Sequence, residues 1–451
     1  MYVAPPPSVS ALVEELPVEP ILDRLIQQTD IPLDTQVDDA YPHWDKLRHL
    51  DPPAGLDQRE WWLRIKVSRL ADMRFLPLVT AGGAEFAYCL PDVVLRHLHR
   101  IDQRLGGGVS FDGGHTTDRR AAERFLVNAR MEEAIRSSQL EGATTSRQVA
   151  QEMLRSGRPP RDLGERMVAN NYRALRFMRE DIGDELTPGA VLALHEVITE
   201  GTLDDPTASG RLQRPGEERV AVFYRDEDES PVHRPPPAEL LPERLQMLCD
   251  FANEDEEAGR FVPPVVRAIL VHFWLAYDHP FLDGNGRTAR ILFFWVMRNR
   301  GYQLAEYLPF SRLLRAAPAQ YARAFLETET DEGDTTYFLL HQLKVIDKAI
   351  EDLDRYLRRK RDELRDVRRM LDDVEGLNGR QIVLLTHAVK HPDHPYTFGG
   401  HALSHRITHE TARADIGGLV EHGFLIRRRR GRSYEFRPAA DLPQRLKESA
   451  A

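Results

Sequence analysis

Cysteine is nearly absent from this chain. Cys89 and Cys249 are the only two in 451 residues, too few for a disulfide framework, and each reads as a small buried hydrophobe. Also missing is any apolar run of the ~20 residues that a membrane-spanning helix needs. The N-terminus has no charged region followed by an apolar core, so a cytoplasmic protein without a membrane partner is expected. No internal repeat or low-complexity tract is found. An excess of positive charge is lacking too: 61 Lys and Arg against 71 Asp and Glu leave a net charge of −10. The whole molecule is therefore not a nonspecific nucleic-acid binder, although one segment can be. What is present is ordinary for a globular protein, 41% hydrophobic and 29% charged residues, with length for two or three domains.

Along the chain, residues 1–40 are rich in Pro, Asp and Glu and are expected to be a flexible segment. An N-terminal extension follows over 41–110, with a segment at Glu60–Leu70 that suits a helix better than a strand. The turn at Ala81-Gly82-Gly83 precedes a helix near Pro91–Leu105, and Gly106-Gly107-Gly108 breaks the chain. Over 111–334 the pattern is helical, with helices expected at 118–140, 146–156, 164–180, 187–200, 238–254, 264–277, 286–300 and 311–326. A long charged helix spans 335–375. Its apolar residues Leu339, Leu343, Ile346, Ile350, Leu353, Leu357, Leu364, Val367 and Leu371 form a heptad-like seam, suited to its own domain or to a dimer partner. The tail, 376–440, is a separate unit. It has helices at 381–389 and 409–422, a turn at 397–400 and a hairpin over Phe424–Phe436.

The run from His279 to Arg290, His-Pro-Phe-Leu-Asp-Gly-Asn-Gly-Arg-Thr-Ala-Arg, gathers groups that phosphate chemistry uses. His279 has an ordinary pKa of about 6.5 and can accept a proton at neutral pH. Asp283 offers a hard oxygen ligand for Mg2+. Gly284-Asn285-Gly286 lets the backbone turn its amides toward an anion. The helix that follows places this turn at a helix N-terminus, where phosphate binds well. Arg287 and Arg290, three apart, share a helix face, and Thr288 and Ala289 lie between them in the same segment. A tight turn before a core helix would explain a lone Gly-Asn-Gly, but not the whole string. His279 and Asp283 do not match zinc-ligand spacing. His272 lies seven residues earlier, near the same helix face, and reads as a hydrogen-bonded core histidine or a second functional one.

This string resembles the signature of the Fic family, His-x-Phe-x-(Asp/Glu)-Gly-Asn-Gly-Arg-x-x-Arg, with every fixed position filled. The resemblance covers roughly 117–350. It implies a mainly α fold: a Fic helical domain with a β-hairpin flap, here joined to an N-terminal extension and a C-terminal winged helix. It also implies a protein adenylyltransferase, in which a target Ser, Thr or Tyr hydroxyl attacks the α-phosphorus of ATP. On that reading His279 is the base and Asp283 holds Mg2+. The amides of Gly284, Asn285 and Gly286 cradle phosphate oxygens. Arg287 serves near the β-phosphate, Arg290 reads the γ-phosphate, and Phe281 anchors the loop. Arg219 to Pro237 resembles the flap that docks a target backbone by strand addition, with Ser230, Pro231, Val232 and His233 nearest ATP. Tyr321 matches an aromatic position beside the adenine. Asp278 departs from the apolar residue common before the base, and either orients or charges His279 or caps the turn.

Ser137-Ser138-Gln139-Leu140-Glu141-Gly142 resembles the family's inhibitory motif, (Ser/Thr)-x-x-x-Glu-(Gly/Asn). A spacing of four puts Ser137 and Glu141 on one helix face. The logic is charge competition, with Glu141 occupying the arginine that the γ-phosphate needs. The simpler alternative is a helix end capped by glycine. The tail resembles a winged helix, with Thr408–Gly423 as recognition helix and Arg427–Arg432 as wing, fit for DNA phosphates or for a protein partner. A second class of function is therefore a DNA-binding regulator whose Fic domain senses nucleotide or modifies itself. Within the enzyme class, removal of AMP or use of another donor stays open. Relatives often dimerise, so a homodimer is also expected.

Overall fold

The computed structural model describes residues 2–16, 40–106, 116–219, 233–255, 261–372, 374, 376–390, 392–405, 407–430 and 433–449. The chain forms two compact units, Met1–Leu353 and Asp354–Ala451.

In the first unit, α1 (Val9–Glu15) is capped by Ser8, whose side chain accepts from the Ala11 amide. It sets Leu12 against Leu47, Trp61 and Trp62. Part of the segment expected to be flexible is thus helical, because one fully buried leucine and one cap suffice to dock it. After α2 (Trp44–Leu47), α3 (Gln58–Asp72) opens with a capping box between Asp57 and Glu60. The helix expected at Glu60–Leu70 is therefore found. The turn at 81–83 joins two short antiparallel strands, β1 (Arg74–Val79) and β2 (Glu85–Tyr88), which the sequence pattern did not reveal. Helix α4 (Asp92–Leu105) follows. Buried Lys66 of α3 donates to Asp331 at 2.8 Å, and Tyr41 donates to Asp334 at 2.7 Å. These bonds tie the N-terminal extension to the helical domain.

That domain comprises α5 (Thr116–Leu140), α6 (Arg147–Ser156), α7 (Leu163–Glu180), α8 (Pro188–Thr199), α9 (Leu241–Asn253), α10 (Pro264–Asp278), α11 (Asn285–Asn299), α12 (Phe310–Ala316) and α13 (Pro318–Thr330). Nearly every residue of α10 and α11 is buried, so this pair is the axis of the core. The single helix expected at 311–326 is two, because Pro318 lacks the amide hydrogen to continue a helix and starts a new one at its first position. The long helix α14 (Thr336–Asp372) buries Leu339, Leu343, Ile346, Ile350 and Leu353 in this core. That half of the apolar seam is covered by its own domain; the side chains of Leu357, Leu364, Val367 and Leu371 lie outside the described residues. Of the flap expected over 219–237, residues 220–232 also lie outside them, Ser230, Pro231 and Val232 included.

The second unit contains α15 (Gly379–Lys390), α16 (Phe398–His405), α17 (His409–Glu421), the antiparallel strands β3 (Leu425–Arg430) and β4 (Ser433–Pro438), and α18 (Leu442–Ser449). They enclose Leu385, Ile416, Leu419, Phe424 and Phe436. Buried Asp415 of α17 accepts from Arg380, Asn378 and His401, joining the three helices. The expected turn at 397–400 instead opens α16, with the Thr397 hydroxyl accepting the Gly400 amide. Helix α18 was not foreseen.

Candidate active site

Helix α10 ends at His279, whose backbone takes the left-handed conformation, φ 45°. Histidine is among the residues that tolerate this better than most. The turn lets α11 start six residues later, with Gly284 as N-cap at φ 85°. Two side chains lock the loop between the helices. Asn285 accepts the Phe281 amide at 2.9 Å and donates to the Phe281 carbonyl at 2.8 Å. His195 of α8 stacks on the Phe281 ring, with centroids 3.8 Å apart and 8° between planes, and meets the Asp283 carbonyl at 2.8 Å through Nε2. Since a carbonyl only accepts, Nε2 carries the hydrogen, and Nδ1 accepts the Gly210 amide at 3.1 Å. Burial lowers the His195 pKa to about 4, so it is neutral at pH 7 and holds this tautomer.

His279 is half-buried. Burial first, then the charge of His233, lowers its pKa to about 4, although Glu141 and a bond to the Ala276 backbone raise it. It is therefore a neutral imidazole at pH 7. A neutral imidazole carries its hydrogen on one ring nitrogen and leaves the other able to accept a proton. Asp278 does not touch it. Its Oδ1 accepts two bonds from Arg244 of α9, at 2.8 and 2.6 Å, and its Oδ2 accepts from Trp274 at 3.1 Å. Burial raises the Asp278 carboxyl despite these partners. Arg219 donates to the backbone carbonyls of Asp278 and His279 at 2.6 and 3.1 Å, and to that of Pro236. One arginine thus links the loop to the exit of the flap segment.

Asp283 accepts from Arg287 at 2.8 Å, and its side chain is 49% exposed whereas Arg287 is fully buried. Arg287 also reaches the Ile198 carbonyl, so in this arrangement it orients Asp283. The Thr288 hydroxyl turns back to the Gly284 carbonyl at 2.9 Å, and Ala289 packs in the core. The backbone amides of Asn285, Gly286 and Arg287 belong to the first helical turn, which has no intrahelical acceptors. Mg2+ is usually held by one or two carboxylates, with phosphates and waters completing its shell. Among the described residues, no three His, Cys, Asp or Glu side chains converge to cage an ion. The half-exposed Asp283 carboxylate fits an Mg2+ that arrives with a polyphosphate.

The Glu141 side chain, one residue past the end of α5, reaches the start of α11. Its Oε1 lies 2.9 Å from Nη1 of Arg290, whose Nε and Nη2 donate to the hydroxyl and carbonyl of Ser137 at 2.9 and 3.1 Å. A Cβ added at Gly286 would stand 2.3 Å from the same Oε1. Only glycine admits the carboxylate this close to the start of α11. His233 reaches the Tyr277 carbonyl through Nε2 at 2.6 Å and Glu329 through Nδ1 at 2.9 Å. Tyr321, half-buried, shares a 2.9 Å bond with His272. His272 is fully enclosed and its pKa is lowered to about 3, by burial and then by Arg290, which makes it a core histidine. Sequence reasoning missed His195, Arg219 and Arg244. Each lies 34 or more positions from the group it holds between Asp278 and Asp283, and no local pattern marks them.

Residues 185–297 match the model of the Fic/DOC family, a stretch that contains the whole loop from His279 to Arg290. Among curated proteins, the chain is similar to protein adenylyltransferase fic-1 of Caenorhabditis elegans, 30% identical over 170 residues, which are 36% of this chain and 30% of that protein. It is also similar to protein adenylyltransferase Fic of Nematostella vectensis, 25% identical over 210 residues, 46% of this chain and 45% of that one. The chain thus spans between about a third and a half of these relatives. A crystal structure of a Fic family protein from Desulfovibrio desulfuricans G20 shares the fold, with a TM-score of 0.50 and 19% identity over 77% of this chain and 94% of that one.

Proposed function

We propose that this chain is a protein adenylyltransferase restrained by Glu141, moving AMP from ATP to a Ser, Thr or Tyr hydroxyl of a target protein. One observation carries the reading. The Glu141 carboxylate sits on Gly286 and on buried Arg290, where a helix N-terminus and an arginine would otherwise receive an anion. The relatives named as adenylyltransferases support the choice of donor.

In the reaction, the target oxygen bonds to the α-phosphorus, the bond to the bridging oxygen breaks, and pyrophosphate leaves. The hydroxyl proton passes to the free nitrogen of His279, which burial keeps neutral and ready to accept it. The amides of Asn285, Gly286 and Arg287 donate to phosphate oxygens, and Arg290 pairs with the γ-phosphate once Glu141 withdraws. Asp283, oriented by Arg287 and by His195 behind its carbonyl, would hold Mg2+, which neutralises phosphate charge when bound. The segment before His233 docks the target backbone, and Tyr321 flanks the adenine.

The test uses ATP labelled at the α-phosphate, Mg2+, and wild type, Glu141→Gly and Glu141→Gly/His279→Ala. Label on protein only with Glu141→Gly supports transfer, base and brake together; label on the enzyme reports self-modification. No label on enzyme or cell lysate removes this reading in favour of AMP removal, another donor or a nucleotide sensor.

A second activity is favoured by charge. Residues 376–449 hold 12 Lys and Arg against 7 Asp and Glu, a net +5 in a chain whose total is −10. Arg427, Arg428 and Arg429 on β3 are exposed. Read as a winged helix, this unit binds duplex DNA through the hairpin rather than through α17, which exposes Glu410 beside Arg413. The expected result is a salt-sensitive shift of duplex DNA. Arg427→Ala/Arg428→Ala lowers the slope of log affinity against log salt by about one for each phosphate that is no longer neutralised. An unchanged slope overturns the assignment.

A further inference from the structure

We propose that Glu133 is a positioning residue for the brake: held by Ser311, it fixes the seating of α5 so that Glu141 reaches Arg290. The inference rests on the reading of Glu141 given above. Glu133, Ser137 and Glu141 stand four apart, so they follow one face of α5 and the turn at its end. All three are engaged along that face. The Glu133 carboxylate accepts the Ser311 amide at 3.1 Å and also the Ser311 hydroxyl. Ser137 and Glu141 take Arg290. Ser311 lies in the first turn of α12, where amides lack intrahelical acceptors and a negative charge is favoured.

Glu133 is 2% exposed. A carboxylate so enclosed is unfavourable unless hydrogen bonds offset the lost water. Burial lifts it to about 7, against the pull of the two Ser311 bonds and of Arg290. The bonds to Ser311 need one rotation and one height of α5. A slip of one residue turns the helix by about 100° and carries Ser137 and Glu141 away from Arg290. Other ties of this helix run elsewhere: to α7, where the Ser138 hydroxyl donates to the Met167 carbonyl and the Asn171 amide to the Ala134 carbonyl, each at 3.2 Å; to α6, where Arg147 and Gln151 donate to Glu132 and Arg155 to Asn128; and from Arg130 to Glu306. They hold different neighbours, and among the described residues α12 is addressed by Glu133.

The test places Glu133→Ala, Glu133→Gln and Ser311→Ala in wild-type and in Glu141→Gly chains. It measures transfer from α-labelled ATP and hydrogen exchange at amides 134–142. With Glu141 present, Glu133→Ala raises transfer by about tenfold, the size expected for losing a buried charged hydrogen bond. Glu133→Gln restores restraint, because its oxygen can take the amide and its NH2 can give to the hydroxyl. Ser311→Ala falls between them. In the Glu141→Gly chain none of the three changes transfer, since no brake is left to position. Exchange at 134–142 rises in Glu133→Ala and not in Glu133→Gln. Loss of transfer in both backgrounds, or unchanged exchange in Glu133→Ala, overturns the proposal. A Glu141→Gly chain that carries no label instead refutes the transferase reading, and exchange alone then decides the role of Glu133.

Discussion

Removing the Glu141 carboxylate is the perturbation whose size the structure bounds best. The pair with Arg290 is 2.9 Å long, with Arg290 1% and Glu141 27% exposed. At an effective dielectric of about 20, unit charges at this distance attract by about 5–6 kcal/mol. Glu141 is partly wet and lost hydration to make the pair, which reduces the net value to about 2–3 kcal/mol. At about 1.4 kcal/mol per decade, Glu141→Gly frees Arg290 for a phosphate by about 30- to 150-fold. Initial rates of label transfer at limiting ATP should rise by that factor. Glu141→Gln, which removes the charge without loosening the backbone, should come within about threefold of Gly. Thermal shift gives a second readout. Without nucleotide the variant melts lower than wild type, because buried Arg290 has been deprived of this carboxylate. Added ATP then raises its melting temperature more than that of wild type, as linkage requires of the tighter binder. Equal transfer by Glu141→Gly and wild type at limiting ATP refutes the brake. Equal ATP-induced shifts refute the competition for Arg290.

His279→Ala in the Glu141→Gly chain should lower transfer by at least ~100-fold. Because burial places this imidazole at about 4, its base form persists well below neutrality. The kcat/KM profile of Glu141→Gly should stay level from about pH 8 to about 5.5, and fall only as pH drops through the lowered pKa; a limb centred near 6.5 would sink the burial argument. Arg244→Leu leaves Asp278 enclosed without its cation and should cost about 3–5 kcal/mol in denaturant unfolding. An unchanged midpoint contradicts that.

The parts of the site legible in the sequence are those whose chemistry is contiguous. From His279 to Arg290, the base, the glycine turn and the start of a helix follow one another, so turn and helix-start rules apply directly. Ser137 and Glu141 were legible because a spacing of four is a property of one helix. The partners that hold these groups were not. His195 lies 88 positions from Asp283, and Ser311 lies 178 from Glu133. In the sequence, His195 is one polar residue in an apolar helix, which is also how a core histidine looks. Strands β1 and β2 have six and four residues, too short for alternation to stand out against helical surroundings.

Asp278 shows how the helix itself carried more information than adjacency did. Next to the base in sequence, it invited the idea that its carboxylate charges or orients His279. Successive side chains on a helix point about 100° apart, whereas i and i+4 share a face. Trp274 is therefore the natural neighbour of Asp278, and the bond between them is present. Arg244 then takes the other oxygen. The carboxylate is thus turned away from the reacting groups and into the seam with α9. It acts on His279 through the backbone: Asp278 secures the last turn of α10, and Arg219 grips the two carbonyls that follow. A base that must stay neutral and held in place is served better by a fixed backbone than by an adjacent negative charge, which would raise its pKa and favour the protonated form.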